Sequence, residues 1–184
     1  MTTSVSVLVG SLREGSLSRK VALTLEAVAP PSLKLGIVEI GDLALYNPDL
    51  DTDSAAVPAG WSRFRDEVRP SQALLFVTPE YNRSVPGLLK NAIDVGSRPY
   101  GKSVFAGKPG AVVSQSPGAL AAFGANHHLR QSLVFLDVPV MQQPEAYVGG
   151  TGAMFDEAGK MTNDSTLAFL TTFMAKFEAW IARF

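Results

Sequence analysis

The sequence predicts an α/β fold, a parallel sheet of five strands covered by helices on both faces, organised as one domain over residues 1–184. Short apolar runs recur along the chain without the strict alternation of a half-exposed strand, so each reads as a strand buried on both faces. Each run gives way to a polar loop and then to apolar residues at helical spacing, the order that builds right-handed strand–helix–strand units. A chain of 184 residues that is 46% apolar can bury about 70% of its unfolded surface in one core.

The first run, Val5, Val7, Leu8 and Val9, stops at Gly10 and yields to a polar loop over 11–16. Leu17, Val21, Leu25 and Val28 then repeat at helical spacing until Pro30 and Pro31 end the helix. A second strand is predicted over 35–40, then a loop rich in Asp, Pro and Ala over 41–60 and a helix over 61–68. The strand over 73–77 is the clearest, with a loop over 78–85 behind it. Pro86 suits the opening turn of the next helix, whose apolar face is Leu88, Leu89, Ala92 and Ile93. Lys108 and Pro109 introduce a fourth strand over 111–113, and the loop over 114–118 leads to a helix carrying Leu120, Phe123, His127, Leu129 and Leu133. A fifth strand is predicted over 138–141. It contains Pro139, which lacks a ladder donor and so belongs at a sheet edge. The last helix, over 165–184, aligns Leu167, Leu170, Phe173, Met174, Phe177 and Ile181 on one stripe. Trp61 and Trp180 read as core or interface aromatics.

Composition excludes several functions. The absence of cysteine removes disulfides, thiolate metal sites, iron–sulfur clusters and thiol nucleophiles. His127 and His128 are adjacent and leave the backbone on different faces, so no metal site is expected. Sixteen Lys and Arg against 17 Asp and Glu leave a net charge of −1 with no basic run, which argues against nucleic acid as a partner. No secretion signal is readable and no apolar stretch reaches the roughly 18 residues needed to span a bilayer. The expectation is a soluble, cytoplasmic protein with no membrane association.

In such a sheet, ligands bind at the carboxyl ends of the strands near the point where strand order reverses. The loops after strands one, three and four are therefore the candidate sites. In the first, Ser11, Ser16 and Ser18 offer hydroxyls, Gly10 and Gly15 free the backbone, and Arg13 adds a cation at the start of a helix, a set suited to a terminal phosphate. Gly10 and Gly15 have the spacing of a nucleoside-triphosphate loop, but Ser16 stands where that motif needs lysine. The dinucleotide fingerprint fails as well, because Leu12 occupies its second glycine position and leaves Glu39 a weak substitute for the ribose-binding acid. A serine-rich helix cap without a ligand would account for the same residues. In the second loop, Pro79 and Pro86 restrict the backbone while Tyr81 and Asn82 combine a flat ring with amide hydrogen bonding. Either a planar heterocycle or a rigid turn covering the sheet end fits that pattern. The third loop, with Ser114, Gln115, Ser116 and Gly118, adds hydroxyls, an amide and backbone donors.

The segments GSLREGS at 10–16 and PEYNRSVPGLLKNAID at 79–94, with 129–137 and 141–149, resemble the flavodoxin-like NAD(P)H-dependent FMN reductases. Within that family they are most similar to the soluble quinone, chromate and azo-compound reductases. The resemblance implies a three-layered, flavodoxin-like sheet of order 2-1-3-4-5. It implies that Ser11, Arg13, Ser16, Leu17 and Ser18 hold the FMN phosphate. Pro79, Glu80, Tyr81 and Asn82 would bracket the isoalloxazine, with Ser116 and Gly118 on its polar side. NAD(P)H would be the co-substrate. Quinones, free flavin, chromate or azo compounds would be the acceptors, and hydride would pass directly between nicotinamide and flavin with no catalytic side chain. It also implies a homodimer or homotetramer pairing through the helix after Asn82, with Arg83, His127 and Glu145 as substrate or subunit contacts. Two positions depart from the family pattern: Ser18 where asparagine is common, and Ala121 with Ala122 where a glycine pair is common. The alternative is a non-catalytic electron carrier of flavodoxin type, which a net charge of −1 disfavours because such carriers are strongly acidic.

Overall fold

The computed structural model describes residues 2–52 and 56–184. Five strands, β1 (Thr3–Val9), β2 (Leu33–Val38), β3 (Ala73–Thr78), β4 (Gly110–Gln115) and β5 (Ala146–Val148), form one sheet of order β2-β1-β3-β4-β5. Every neighbouring pair is parallel. The central strands are buried on both faces, as their unbroken apolar runs require. Their side chains separate with a period of two. Val5, Val7 and Val9 of β1, with Leu75 and Val77 of β3, meet α1 (Leu17–Ala27) and α5 (Asp164–Ile181) on one face. Leu8, Leu74, Phe76 and Val112 point the other way, into a second core with α2 (Ala59–Val68), α3 (Gly87–Gly96) and α4 (Phe123–Phe135).

Local chemistry sets the helix boundaries. Ser16 caps α1 by accepting from the Arg19 amide at 3.2 Å, and Asn163 caps α5 by accepting from the Thr166 amide at 2.9 Å. Pro86 lies immediately before α3, where its missing amide costs nothing. Trp61 is fully buried, whereas Trp180 is partly buried and donates its indole N–H to the Pro139 carbonyl at 2.9 Å. The loop expected over 41–60 includes residues 53–55, which lie outside the described residues. Its described part is pinned by the Arg65–Asp51 ion pair, whose side chains are 9% and 3% exposed, and by Asn91, which bonds to the backbone at Leu43, Ala44 and Tyr46.

The edge strand differs from the sequence expectation. Residues 138–141 make only a bridge between Val140 and Gly110, with Gly110 donating to the Pro139 carbonyl and Met141 to the Gly110 carbonyl. The paired strand is 146–148, beside residues 113–115 of β4. Pro139 cannot donate, so the ladder does not extend to the N-terminal side of this bridge, and pairing resumes only beyond Pro144. The sheet edge was the right place for the proline, but the strand proper follows it. In addition, Ser114 and Gln115 belong to β4 rather than to the loop, and Leu120 precedes α4.

Candidate functional site

The strand order reverses between β1 and β3, so the loops leaving their carboxyl ends diverge from a shared crevice. Gly10 marks the closest approach. Its amide donates to the Val77 carbonyl at 2.9 Å, and a β-carbon there would lie 3.1 Å from the Pro79 ring and 3.2 Å from the Thr78 hydroxyl. Glycine therefore lets the first and second loops lie side by side.

The first loop turns at Gly15, whose φ of +63° suits glycine, and enters α1 at Ser16. With the Arg19 amide taken by Ser16, the amides of Leu17 and Ser18 make no hydrogen bond among the described residues. They are the orphan donors of a helix start. Arg13 is exposed and its guanidinium has no partner among the described residues, and Ser11 is partly exposed beside it. Two free amides, the partly exposed Ser11 hydroxyl and an uncommitted guanidinium at a helix N-terminus fit a phosphate dianion, while Ser16 is buried as the cap. Ser18 is placed differently: its side chain is fully buried and accepts from the Gln115 amide at 2.8 Å, while Thr151 donates to the other end of that amide at 2.7 Å. Only the backbone of Ser18 faces the loop. Glu39 pairs with Arg19 at 2.8 Å on the surface.

The second loop is a tight turn. Tyr81 and Ser84 exchange both backbone hydrogen bonds, at 3.1 and 3.0 Å, and Asn82 and Arg83 between them have φ of 50° and 63°. Positive φ at both central residues is the type I′ pattern, which asparagine tolerates and arginine does not favour. Tyr81 is 49% exposed, and Pro79 is partly buried against the crevice. The Glu80 carboxylate turns inward, accepting from the Ala125 amide at 3.0 Å and from Arg83 at 3.0 Å.

The third loop follows β4. Ser116 accepts from the Gly118 amide at 3.0 Å, so these two residues satisfy each other. Ala121 and Ala122, with φ of 51° and 59°, keep a left-handed backbone despite having side chains. That conformation costs about 1–2 kcal/mol per alanine. It is held by Ser114, which donates to the Ala121 carbonyl at 2.8 Å, and by the Asn126 amide, which donates to the Ala122 carbonyl at 3.1 Å. The supporting residues Gly124, Asn126 and Thr151 were not singled out from the sequence, whereas Gln115, expected as a loop amide, acts from β4 against Ser18. The only signal of those three was an isolated glycine, amide and hydroxyl.

Arg83 and both histidines are exposed. His128 bonds to the Ser84 hydroxyl and His127 to the Tyr147 hydroxyl, each at 3.0 Å. Burial and the adjacent Glu145 push the Tyr147 phenol up to about 12, so it stays protonated at neutral pH. The His127 and Tyr147 rings stack, Phe123 lies tilted against both, and this aromatic group joins α4 to β5. No cluster of three potential metal ligands exists among the described residues. A cavity of about 600 Å³ lies at the opposite end of the sheet, lined by Arg130, Val138, Val140 and Trp180 among others. It shares no residue with the three loops.

Residues 3–152 match the family described as NADPH-dependent FMN reductase. A quinone reductase of Pseudomonas putida is 63% identical over 97% of this chain and 94% of its own length. A 2-hydroxy-1,4-benzoquinone reductase of a Burkholderia species is 41% identical, covering 98% and 97%. Among solved structures, the flavoenzyme NAD(P)H:(acceptor) oxidoreductase FerB from Paracoccus denitrificans superposes with a TM-score of 0.91 at 40% identity, covering 99% of this chain and 98% of that one. The flavodoxin-like sheet and the loop chemistry define an FMN-dependent oxidoreductase, and the chain belongs to the NADPH-dependent FMN reductase family. It is an enzyme, with FMN as cofactor and a reduced nicotinamide nucleotide as electron donor, and not an electron carrier.

Proposed function

We propose that this enzyme uses NADH or NADPH to reduce quinones through FMN held by the loops at 10–18, 79–84 and 116–118. The observation that carries the reading is the set of free donors at the start of α1: the Leu17 and Ser18 amides, Arg13 and the Ser11 hydroxyl, with Ser16 fixing the cap beside them. They would hold the phosphate. Pro79, the backbone at Glu80, Tyr81 and Asn82 would flank the ring on one side, with Ser116 and Gly118 on the other. Glu80, the largely buried acid of the second loop, has both carboxylate oxygens committed to the Ala125 amide and Arg83, so these residues bind and orient rather than transfer protons. FMN, when bound, supplies hydride acceptance and donation, and no side-chain nucleophile is needed.

The relatives named as quinone reductases support quinone as acceptor. Free flavin, chromate and azo compounds are further acceptors for an open site of this kind. Reduced nicotinamide nucleotides are cytoplasmic metabolites, which supports a cytoplasmic enzyme, and among the described residues no helix is long and apolar enough to cross a membrane. Residues 1–184 act as one FMN-binding domain. Exposed Leu120, Phe123, Val134 and Phe135 around α4 support a homodimer or homotetramer, with Arg83, His127 and Glu145 as subunit contacts; sedimentation of a strictly monomeric holoenzyme would exclude this.

The deciding experiment is a visible spectrum of the protein with added FMN, followed by NADH and NADPH oxidation with benzoquinone, chromate and an azo dye. Flavin binding and quinone-dependent turnover are expected. A protein that binds no FMN, or binds it without oxidising either nucleotide, contradicts the reading.

A further inference from the structure

Helix α4 begins without a cap of its own. The residue before it, Ala122, has no side chain able to accept a hydrogen bond and sits in the left-handed region. The acceptor comes from a different loop, through Glu80, whose side chain is 11% exposed and whose Oε2 receives the Ala125 amide at 3.0 Å. Negative charge at this position also complements the helix dipole. The other oxygen, Oε1, receives Arg83 at 3.0 Å and braces the turn in which Arg83 adopts its unfavourable positive φ. Both oxygens are thus committed within the protein.

A second observation is independent of that carboxylate. A β-carbon on Gly124 would lie 2.8 Å from the Arg83 carbonyl oxygen and 2.9 Å from Glu80 Oε2. The turn is packed directly on the helix backbone, and only glycine permits it. Ser84 adds a third contact through His128 at 3.0 Å. The stretch 116–122 leads straight into this same helix start.

We propose that Glu80 is a positioning residue whose carboxylate bolts the 80–84 turn to the first turn of α4, fixing the spacing of the two loops between which the flavin ring lies. This deepens the proposed FMN site and rests on it. Glu80 acts on the ring through the turn that it holds and not by contact with the ring.

The test compares wild type with Glu80→Ala, Gly124→Ala and the double variant, titrating each with FMN and with riboflavin and following hydrogen exchange at the Tyr81 and Ser84 amides. Either single substitution is expected to weaken both ligands by the same factor, about tenfold, because the ring end is disturbed and the phosphate end is not. The double variant is expected to be little worse than the single ones, since both break one clamp. Glu80→Gln, which keeps an acceptor for the Ala125 amide, should recover part of the affinity. The two amides should exchange faster in Glu80→Ala even without flavin. Unchanged exchange, wild-type ring affinity, or a loss confined to FMN would overturn the clamp. Failure of wild type to bind FMN would overturn the site, while the exchange result would still decide the clamp.

Discussion

Arg13 and Ser18 stand five residues apart at the same loop–helix junction, yet their surroundings assign them different work. Arg13 is exposed and its guanidinium has no partner among the described residues, whereas the Ser18 hydroxyl is sealed beneath α1 against Gln115. Arg13→Ala should therefore weaken FMN by the roughly 1.5–3 kcal/mol of a charged hydrogen bond, about ten- to a hundredfold, and leave riboflavin affinity unchanged. Fluorescence titration with the two flavins checks this, and an equal loss for both would remove Arg13 from the phosphate end. The residue types that offer such donors were legible in the sequence as Ser11, Arg13 and Ser16. The direction in which Ser18 and Glu80 point was not, because it depends on partners 97 and 45 residues away.

At the scale of elements, buried runs announced themselves and interrupted ones did not. The apolar stretches of β1, β3 and β4 need burial on both faces wherever they lie, so their sequences suffice. β5 has only three residues, and a bridge at Val140 precedes it, so the apolar stretch around Pro139 mimics the strand that follows. Helix α4 starts on a cap supplied by another loop, which no local pattern encodes.

Helix α2 ends on a similar contact. Lys108 donates to the Val68 and Arg69 carbonyls at 2.7 and 2.9 Å, and burial together with nearby Arg69 pulls its ammonium down to about 8. A neutral amine still has two protons for those two carbonyls. Because the folded value lies below the ordinary lysine value of 10.5, the unfolded chain binds more protons between the two. Stability should then rise as pH increases through that window. Urea denaturation across it should show the rise in wild type and its loss in Lys108→Met. A wild-type profile that falls or stays flat there would contradict the assignment.

For the whole molecule, the parallel sheet, its order and its two cores follow from how often buried strands alternate with amphipathic helices, and the reversal between β1 and β3 then fixes where a ligand lies. The size of a cavity is a poorer guide: the 600 Å³ space near Trp180 shares no residue with the three loops, whereas the free amides of Leu17 and Ser18 lie in the loop cluster. Hydrogen exchange of the whole chain with and without saturating FMN separates these two places directly. Protection confined to residues 10–18, 79–84 and 114–122 is the predicted result. Protection around Arg130, Val138 and Trp180, with none in the three loops, would contradict the account.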